Sequence, residues 1–179
     1  IAAEFPRETV ERPTRMARSS PGAAYRGVSV ARHTQVVTVG IARAGTVPSQ
    51  ICYELLNEIL DPGGVRQDHL TMSRQVDAAG RVTGSAFNEA KVGGEVDGRI
   101  LLLPDPMGAT GSSISEAVRY YKGLAGGPPA KILSMQLIVT PEFIRRVTGD
   151  HPDVVLYALR LDRGLSSPEV LDTVPGTAI

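Results

Sequence analysis

Ile100-Leu101-Leu102-Leu103-Pro104-Asp105-Pro106-Met107-Gly108-Ala109-Thr110-Gly111-Ser112-Ser113 is the stretch on which the fold turns. Its opening aliphatic run, between Arg99 and Pro104, has the character of a central parallel strand buried on both faces. Beyond it the composition changes to Gly, Pro and hydroxyl residues. Ile114, Ala117, Val118 and Tyr121 then recur at helical spacing, which predicts a helix over about residues 113–124. Strand, glycine loop and helix in this order make a βα unit. In open parallel sheets ligands bind outside the carboxyl ends of the strands, where this loop falls.

The chemistry of residues 105–113 points to an anion. Gly108 and Gly111 let the backbone approach a ligand, and Thr110, Ser112 and Ser113 add hydroxyl donors. The loop feeds a helix N-terminus, whose amides and positive dipole end favour a phosphate. Other phosphate and nucleophile motifs fit poorly. A Walker loop needs a Lys before its Ser or Thr, and a dinucleotide fingerprint needs Gly-x-Gly-x-x-Gly. Gly111-Ser112-Ser113-Ile114-Ser115 lacks the closing glycine of a nucleophile elbow. Asp105 would repel a phosphate but is a strong acceptor for ribose hydroxyls. The plainer alternative is a turn with a serine helix cap.

Working outward, residues 36–42 (Val-Val-Thr-Val-Gly-Ile-Ala) form another expected buried strand, which runs into the tight loop Arg43-Ala44-Gly45. Pro48-Ser49 opens a helix with Ile51, Leu55 and Ile59 on one face, and Asp61-Pro62-Gly63-Gly64 stops it. Residues 69–74 are a candidate strand. The Gly- and charge-rich stretch 75–98 reads as a flap or hairpin, and residues 1–25 as an arm or irregular cap. Residues 131–139 and 153–161 are further strands. Between them Thr140-Pro141-Glu142 supplies an N-cap, a first-turn proline and an early acid for a short helix to about residue 148. The alternation predicts an α/β domain spanning residues 1–179, an open, mostly parallel sheet with helices on both faces plus a flexible flap.

Bulk properties bound the partners. The 179 residues suffice for one core, and 19 Lys plus Arg balance 19 Asp plus Glu, so no net charge draws the chain to nucleic acid or an anionic membrane. No apolar run reaches the ~20 residues of a membrane span. Cys52 is the single cysteine, which fits a reducing, cytoplasmic setting and reads as a packed small side chain. His33, His69 and His151 lack metal-ligand spacing, and His151-Pro152-Asp153 reads as a turn.

Residues 101–113 closely resemble the phosphoribosyl-pyrophosphate loop of uracil phosphoribosyltransferases, whose pattern is Asp-Pro-Met-Leu-Ala-Thr-Gly-Gly-Ser. Gly40-Ile41-Ala42-Arg43-Ala44-Gly45 is similar to the family's Pro-Ile-Leu-Arg-Ala-Gly loop. His151-Pro152-Asp153-Val154-Val155-Leu156-Tyr157, followed by Asp162-Arg163-Gly164-Leu165, resembles its late strand and turn. The resemblance covers about residues 36–165 and implies a type I phosphoribosyltransferase-like fold. It implies a glycosyltransferase that moves a 5-phosphoribosyl group from phosphoribosyl pyrophosphate to uracil or a related acceptor, releasing pyrophosphate. Mg²⁺ is carried by the donor, and no protein metal ligands are expected.

Position by position, the resemblance makes Arg43, Asp105 and Arg74 the candidate catalytic residues. Arg43 contacts the leaving pyrophosphate, Asp105 the ribose hydroxyls, and Arg74 opens the flap. Ala44, Gly45, Met107, Gly108, Ala109, Thr110, Gly111, Ser112 and Ser113 are the candidate donor-binding positions. The expected partners are these small molecules and further copies of the chain, in a homodimer or higher homo-oligomer, with no nucleic acid or membrane.

The chain departs from the family at Gly108, where a Leu is usual, at Ser112, where a Gly is usual, and at Gly40 and Ala42. The chain begins at Ile1, as a trimmed chain would. The family's closing Tyr-Ile-Val-Pro-Gly segment and Asp-Ala-Gly-Asp run have no match beyond Val174-Pro175-Gly176. The resemblance therefore identifies the donor and leaves the acceptor open. Two other readings remain: a biosynthetic enzyme with a different acceptor, and a non-catalytic nucleotide-sensing regulator on the same fold.

Overall fold

A computed structural model describes residues 2–76 and 82–166, without the side chains of 74–76 and 82–87. Six strands form the main sheet in the order β5-β4-β3-β6-β7-β8. They are β3 (Val36–Ala42), β4 (Val65–Val76), β5 (Val82–Lys91), β6 (Ile100–Gly108), β7 (Lys131–Val139) and β8 (Val154–Leu161). All neighbours are parallel except β5, which returns antiparallel along β4. A two-stranded antiparallel ribbon, β1 (Arg7–Pro13) with β2 (Ala24–Val30), stands apart from that sheet.

Helix α1 (Thr46–Ile59) covers one face; α2 (Ser112–Lys122) and α3 (Pro141–Asp150) cover the other. Alternation along each strand feeds two apolar layers. On the α2–α3 side, Val37, Val39, Leu70, Leu101, Leu103 and Ile132 pack against Ile114, Val118, Tyr121, Phe143 and Val147. On the α1 side, Val36, Ile100, Leu102 and Leu133 pack against Leu56, Leu60 and Phe5. Glu4 fastens the amino end below: its carboxylate accepts from Tyr157 Oη at 2.6 Å and Lys131 Nζ at 3.1 Å. These two bonds, the tyrosine's first, hold the Glu4 carboxyl below the usual range.

Strand order places the crevice. The chain leaves β3 through α1 to β4 on one side, whereas β6 leaves through α2 to β7 on the other. Adjacent strands whose exits diverge leave a gap at their carboxyl ends, the topological switch point of open α/β sheets. Register shows the gap opening: β6 pairs with β3 only from Ile100 to Leu102, but with β7 as far as Gly108.

Three sequence expectations are corrected. β6 does not stop at Leu103; it continues through Pro104, Asp105 and Pro106 to Gly108. Prolines have no N–H to give and suit strand positions with an unpaired side; here β6 pairs with β7 alone. The irregular opening contains a paired ribbon from Arg7↔Val30 to Pro13↔Ala24. On α1 the buried residues are Ser49 and Leu56, while Val47, Ile51, Leu55 and Ile59 are 65%, 58%, 60% and 48% exposed. The helix therefore lies on the sheet through a different face from its aliphatic stripe.

Candidate functional site

Two loops meet at the switch point. The first, after β3, holds Arg43 and Ala44 exposed and Gly45 buried, and its Ala42–Arg43 peptide is cis. It turns tightly: Gly45 N donates to Ile41 O at 3.0 Å, and Thr46 N to Arg43 O at 3.2 Å. A side chain at 45 has no room. Its Cβ would stand 2.9 Å from Ile41 N, 3.0 Å from Ile41 O and 3.1 Å from Pro104 O. Gly45 thus brings the first loop against the end of β6.

The second segment begins at Asp105, half-buried within the last part of β6, where Oδ1 accepts from Met107 N at 3.0 Å. Burial pushes this carboxyl above the ordinary aspartate range, and the Met107 N–H works against that rise. Residues 109–111 then turn into α2, with Gly111 at φ +78°, a conformation costly for any residue with a Cβ. Thr110 Oγ1 and Ser112 Oγ lie 3.1 Å apart in this loop, and the amino-terminal turn of α2, starting at Ser112, faces it. The dipole of that helix adds partial positive charge at the same place.

Helix α3 supports the loop from behind. Thr140 caps α3 by accepting from Phe143 N at 3.1 Å, its hydroxyl donates to Ala109 O, and its N–H donates to Gly108 O at 2.9 Å. A Cβ on Gly108 would fall 2.6 Å from Phe143 Cδ2. The aromatic ring occupies the space that the usual leucine at 108 would need, which accounts for the glycine. One on Gly111 would meet Phe143 O, Arg146 Cβ and Val147 Cγ2, each at 3.1 Å. One turn into α2, buried Ser115 donates to Asp150 Oδ2 at 2.5 Å, and His151 Nε2 lies 2.9 Å from Ser115 O. The Ser115 hydroxyl, then Arg146, hold the Asp150 carboxyl below its ordinary range. His151 is therefore a buried helix-end contact, more than a turn residue.

The crevice gathers most of the expected residues: Arg43, Ala44 and Gly45 from one loop, Asp105 and 107–113 from the other. Met107 is 43% exposed, while Gly108, Gly111 and Ser112 are buried. Arg74 pairs with Ser85 in the β4–β5 hairpin, and its side chain lies outside the described residues. Since Ala42 pairs with Thr71, β4 runs on past the level of the first loop before reaching position 74. The sequence reading missed Thr140's grip on Ala109 and Phe143's place over Gly108. Thr140-Pro141 signalled a helix cap, but nothing local signalled what the cap would touch.

Elsewhere, a concavity of about 690 Å³ lies at the opposite end of the strands, lined by Phe5, His33, Thr34, Ile100 and Lys131 among others. It is remote from both loops, and Lys131 there is already paired with Glu4. Among the described residues, no group of three or more His, Cys, Asp or Glu side chains could hold a metal ion. No helix among them is long and apolar enough to cross a membrane.

Comparison with known proteins identifies the family and the fold. The family model described as uracil phosphoribosyltransferase matches residues 1–178. A curated uracil phosphoribosyltransferase of Caldanaerobacter subterraneus is 37% identical over 86 residues, 48% of this chain and 39% of that protein. One from Burkholderia thailandensis is 37% identical over 82 residues, 46% of this chain and 37% of its own length. These matches span about two fifths of the relatives' length. A solved protein of Aquifex aeolicus shares the fold with a TM-score of 0.66 at 20% identity, covering 92% of this chain and 69% of that one. The adenine phosphoribosyltransferase of Giardia lamblia, solved with 9-deazaadenine, gives 0.53 at 17% identity over 72% of this chain and 71% of its own.

Proposed function

The chain belongs to the uracil phosphoribosyltransferase family, and from that premise we propose that it transfers a 5-phosphoribosyl group from phosphoribosyl pyrophosphate to a base nitrogen, uracil first. The observation that carries this reading is the contact of the Arg43–Gly45 loop with the end of β6 that bears Asp105. A donor laid across that contact has its pyrophosphate by Arg43, its ribose hydroxyls by Asp105 and its 5′-phosphate in the loop at the head of α2.

The base nitrogen supplies the electron pair for the new bond at C1 and loses its proton to water or to the departing pyrophosphate, while the C1–oxygen bond to pyrophosphate breaks with its electrons leaving on pyrophosphate. Charge develops on the sugar ring and on the departing oxygen, so catalysis rests on positioning and on cations placed where that charge appears. Arg43 serves the leaving group. Mg²⁺ carried by the donor's pyrophosphate would help neutralise the same charge. The hairpin within 75–98, with Arg74 at its start, closes over the crevice and keeps water from the cationic sugar.

The unit spans residues 1–179, with 1–25 as an arm. The exposed α1 stripe of Val47, Ile51, Leu55 and Ile59 supports a homodimer, and the lone Cys52 supports a cytoplasmic setting. Pyrophosphate release from phosphoribosyl pyrophosphate, Mg²⁺ and uracil is the direct test. Release with another base but not uracil would move the acceptor. Nucleotide binding with no release from any base would replace the enzyme by a sensor.

A further inference from the structure

Strand β7 carries a polar pair inside an apolar layer. Ser134 is fully buried and Gln136 is 5% exposed, with Gln136 Nε2 2.8 Å from Ser134 Oγ. Among the described residues, the other end of the same amide, Oε1, is buried without a hydrogen-bond partner. A buried polar atom left unpaired is costly, and native structures seldom leave one without a purpose.

The place of that free end is specific. In the β6–β7 ladder Gln136 pairs with Asp105, two positions beyond Ser134↔Leu103. Leu101, Leu103 and Ile132 face the α2–α3 layer, so by the two-residue alternation Asp105 and Gln136 face it too. Neighbouring strands lie about 4.8 Å apart, which puts amide and carboxyl within reach of each other. On its far side Gln136 pairs with Ala158, which has no polar side chain to offer. Asp105 uses Oδ1 for Met107 N, and among the described residues Oδ2 has no hydrogen-bond partner.

Two open valences thus belong to residues paired in register on one face, and turning the amide over makes them complementary. Oxygen and nitrogen of a glutamine amide have the same shape, so their order is set by the surrounding bonds. With the amide reversed, the Ser134 hydroxyl donates to Gln136 Oε1, and Nε2 becomes a donor facing the carboxylate.

We propose that Ser134, Gln136 and Asp105 form a hydrogen-bonded chain across β6 and β7, in which Gln136 is a positioning residue that fixes the Asp105 carboxylate. A carboxylate offers about four acceptor sites. Met107 N takes one on Oδ1 and Gln136 one on Oδ2, which leaves the outward pair for two ribose hydroxyls. That last role rests on the proposed ribose contact of Asp105; the hydrogen-bonded chain does not.

The test uses the unliganded full chain labelled with ¹³C at aspartate carboxyls, with the Asp105 signal assigned by its absence in Asp105→Asn. Gln136→Met keeps the volume and changes no charge. The charged groups on α3 (Glu142, Arg145, Arg146, Asp150) and Arg43 after β3 are therefore the same in both proteins. Its Asp105 midpoint should rise by about one unit, the size of one lost charge-assisted hydrogen bond. An unmoved or lower midpoint overturns the proposal. If Gln136→Met fails to fold, the Gln136 side-chain amide signals in the otherwise native chain decide. They should shift with the Asp105 midpoint and lose that shift in Asp105→Asn; amide signals indifferent to Asp105 overturn it. Pyrophosphate release is assayed separately, so an inactive protein with a shifted midpoint would sink the transferase reading and leave the hydrogen-bonded chain standing.

Discussion

Gly45 and Pro104 touch across the crevice: a Cβ on Gly45 would lie 3.1 Å from the Pro104 carbonyl oxygen. The atoms that crowd the site are all backbone, two of them Ile41's own N and O at 2.9 and 3.0 Å. Flexible side chains could swing away, but strand ends cannot. The two loops of the site are therefore spaced by the absence of one methyl group.

Gly45→Ala should separate the loops and spoil a donor that must touch both. Overpacking of this kind costs about 1–3 kcal/mol of stability. A misplacement near 1 Å can cost about 100-fold in kcat/KM. Steady-state kinetics with varied phosphoribosyl pyrophosphate, beside thermal melts, checks both. A variant with native kinetics would show that the loop spacing does not matter to the reaction.

Gly108 and Phe143 share one space, so restoring the family's usual leucine should fail alone and succeed in company. Gly108→Leu forces a Cβ to within 2.6 Å of the ring and should cost about 1–3 kcal/mol. Phe143→Ala alone empties a 1%-exposed position and should cost about 3–5 kcal/mol. The double variant should be less destabilised than the sum of the two. Denaturant melts of the four proteins give the coupling directly.

Asp105→Asn should trade activity for stability, in a pH-dependent way. The folded carboxyl titrates above its unfolded value, so the folded chain binds the proton more tightly. Stability then falls as pH rises from the unfolded pKa through the folded one, and above that window the cost is constant. The asparagine removes the cost. Its melting temperature should exceed the native one at neutral pH and converge with it in acid, while pyrophosphate release drops. Equal melting temperatures at pH 7 would contradict the assigned direction.

Asp68 is a fully buried carboxylate that receives Arg66 Nε at 2.9 Å and Nη2 at 3.1 Å, Gly93 N at 3.0 Å, and Tyr121 Oη at 3.0 Å. Burial, and then the Asp68 charge, push the Tyr121 hydroxyl well above its ordinary range, so it remains a donor. Tyr121→Phe removes one of several donors and should cost about 1–3 kcal/mol. Arg66→Gln strips the countercharge and should cost more, about 3–5 kcal/mol. Urea midpoints at neutral pH rank the two, and the reverse order would mean that the arginine is not the principal partner.

Much of this was legible locally. β3, β6, β7 and β8 announce themselves as aliphatic runs, and α2 and α3 by spacing and caps. Residues 105–113 carry their chemistry in composition, because glycines and hydroxyls beside a strand end have few other uses. The α1 stripe misleads for a physical reason: periodicity reports that an apolar face exists, not which surface meets it. Asp105 is readable as a candidate; that it lies within the strand, beside Gln136, is not.

The sequence by itself determined the alternation of elements, the two glycine loops and the residue types that suit a sugar phosphate, since these follow from spacing and side-chain chemistry within a few residues. Tertiary structure alone decided that the loops are neighbours, that Phe143 stands over Gly108, that Thr140 holds Ala109, and that Gln136 is paired in register with Asp105. Each of these joins residues about 30 or more apart in the chain. Strand order and register set such contacts, and both are fixed by the packing of the whole sheet, where no local pattern records them.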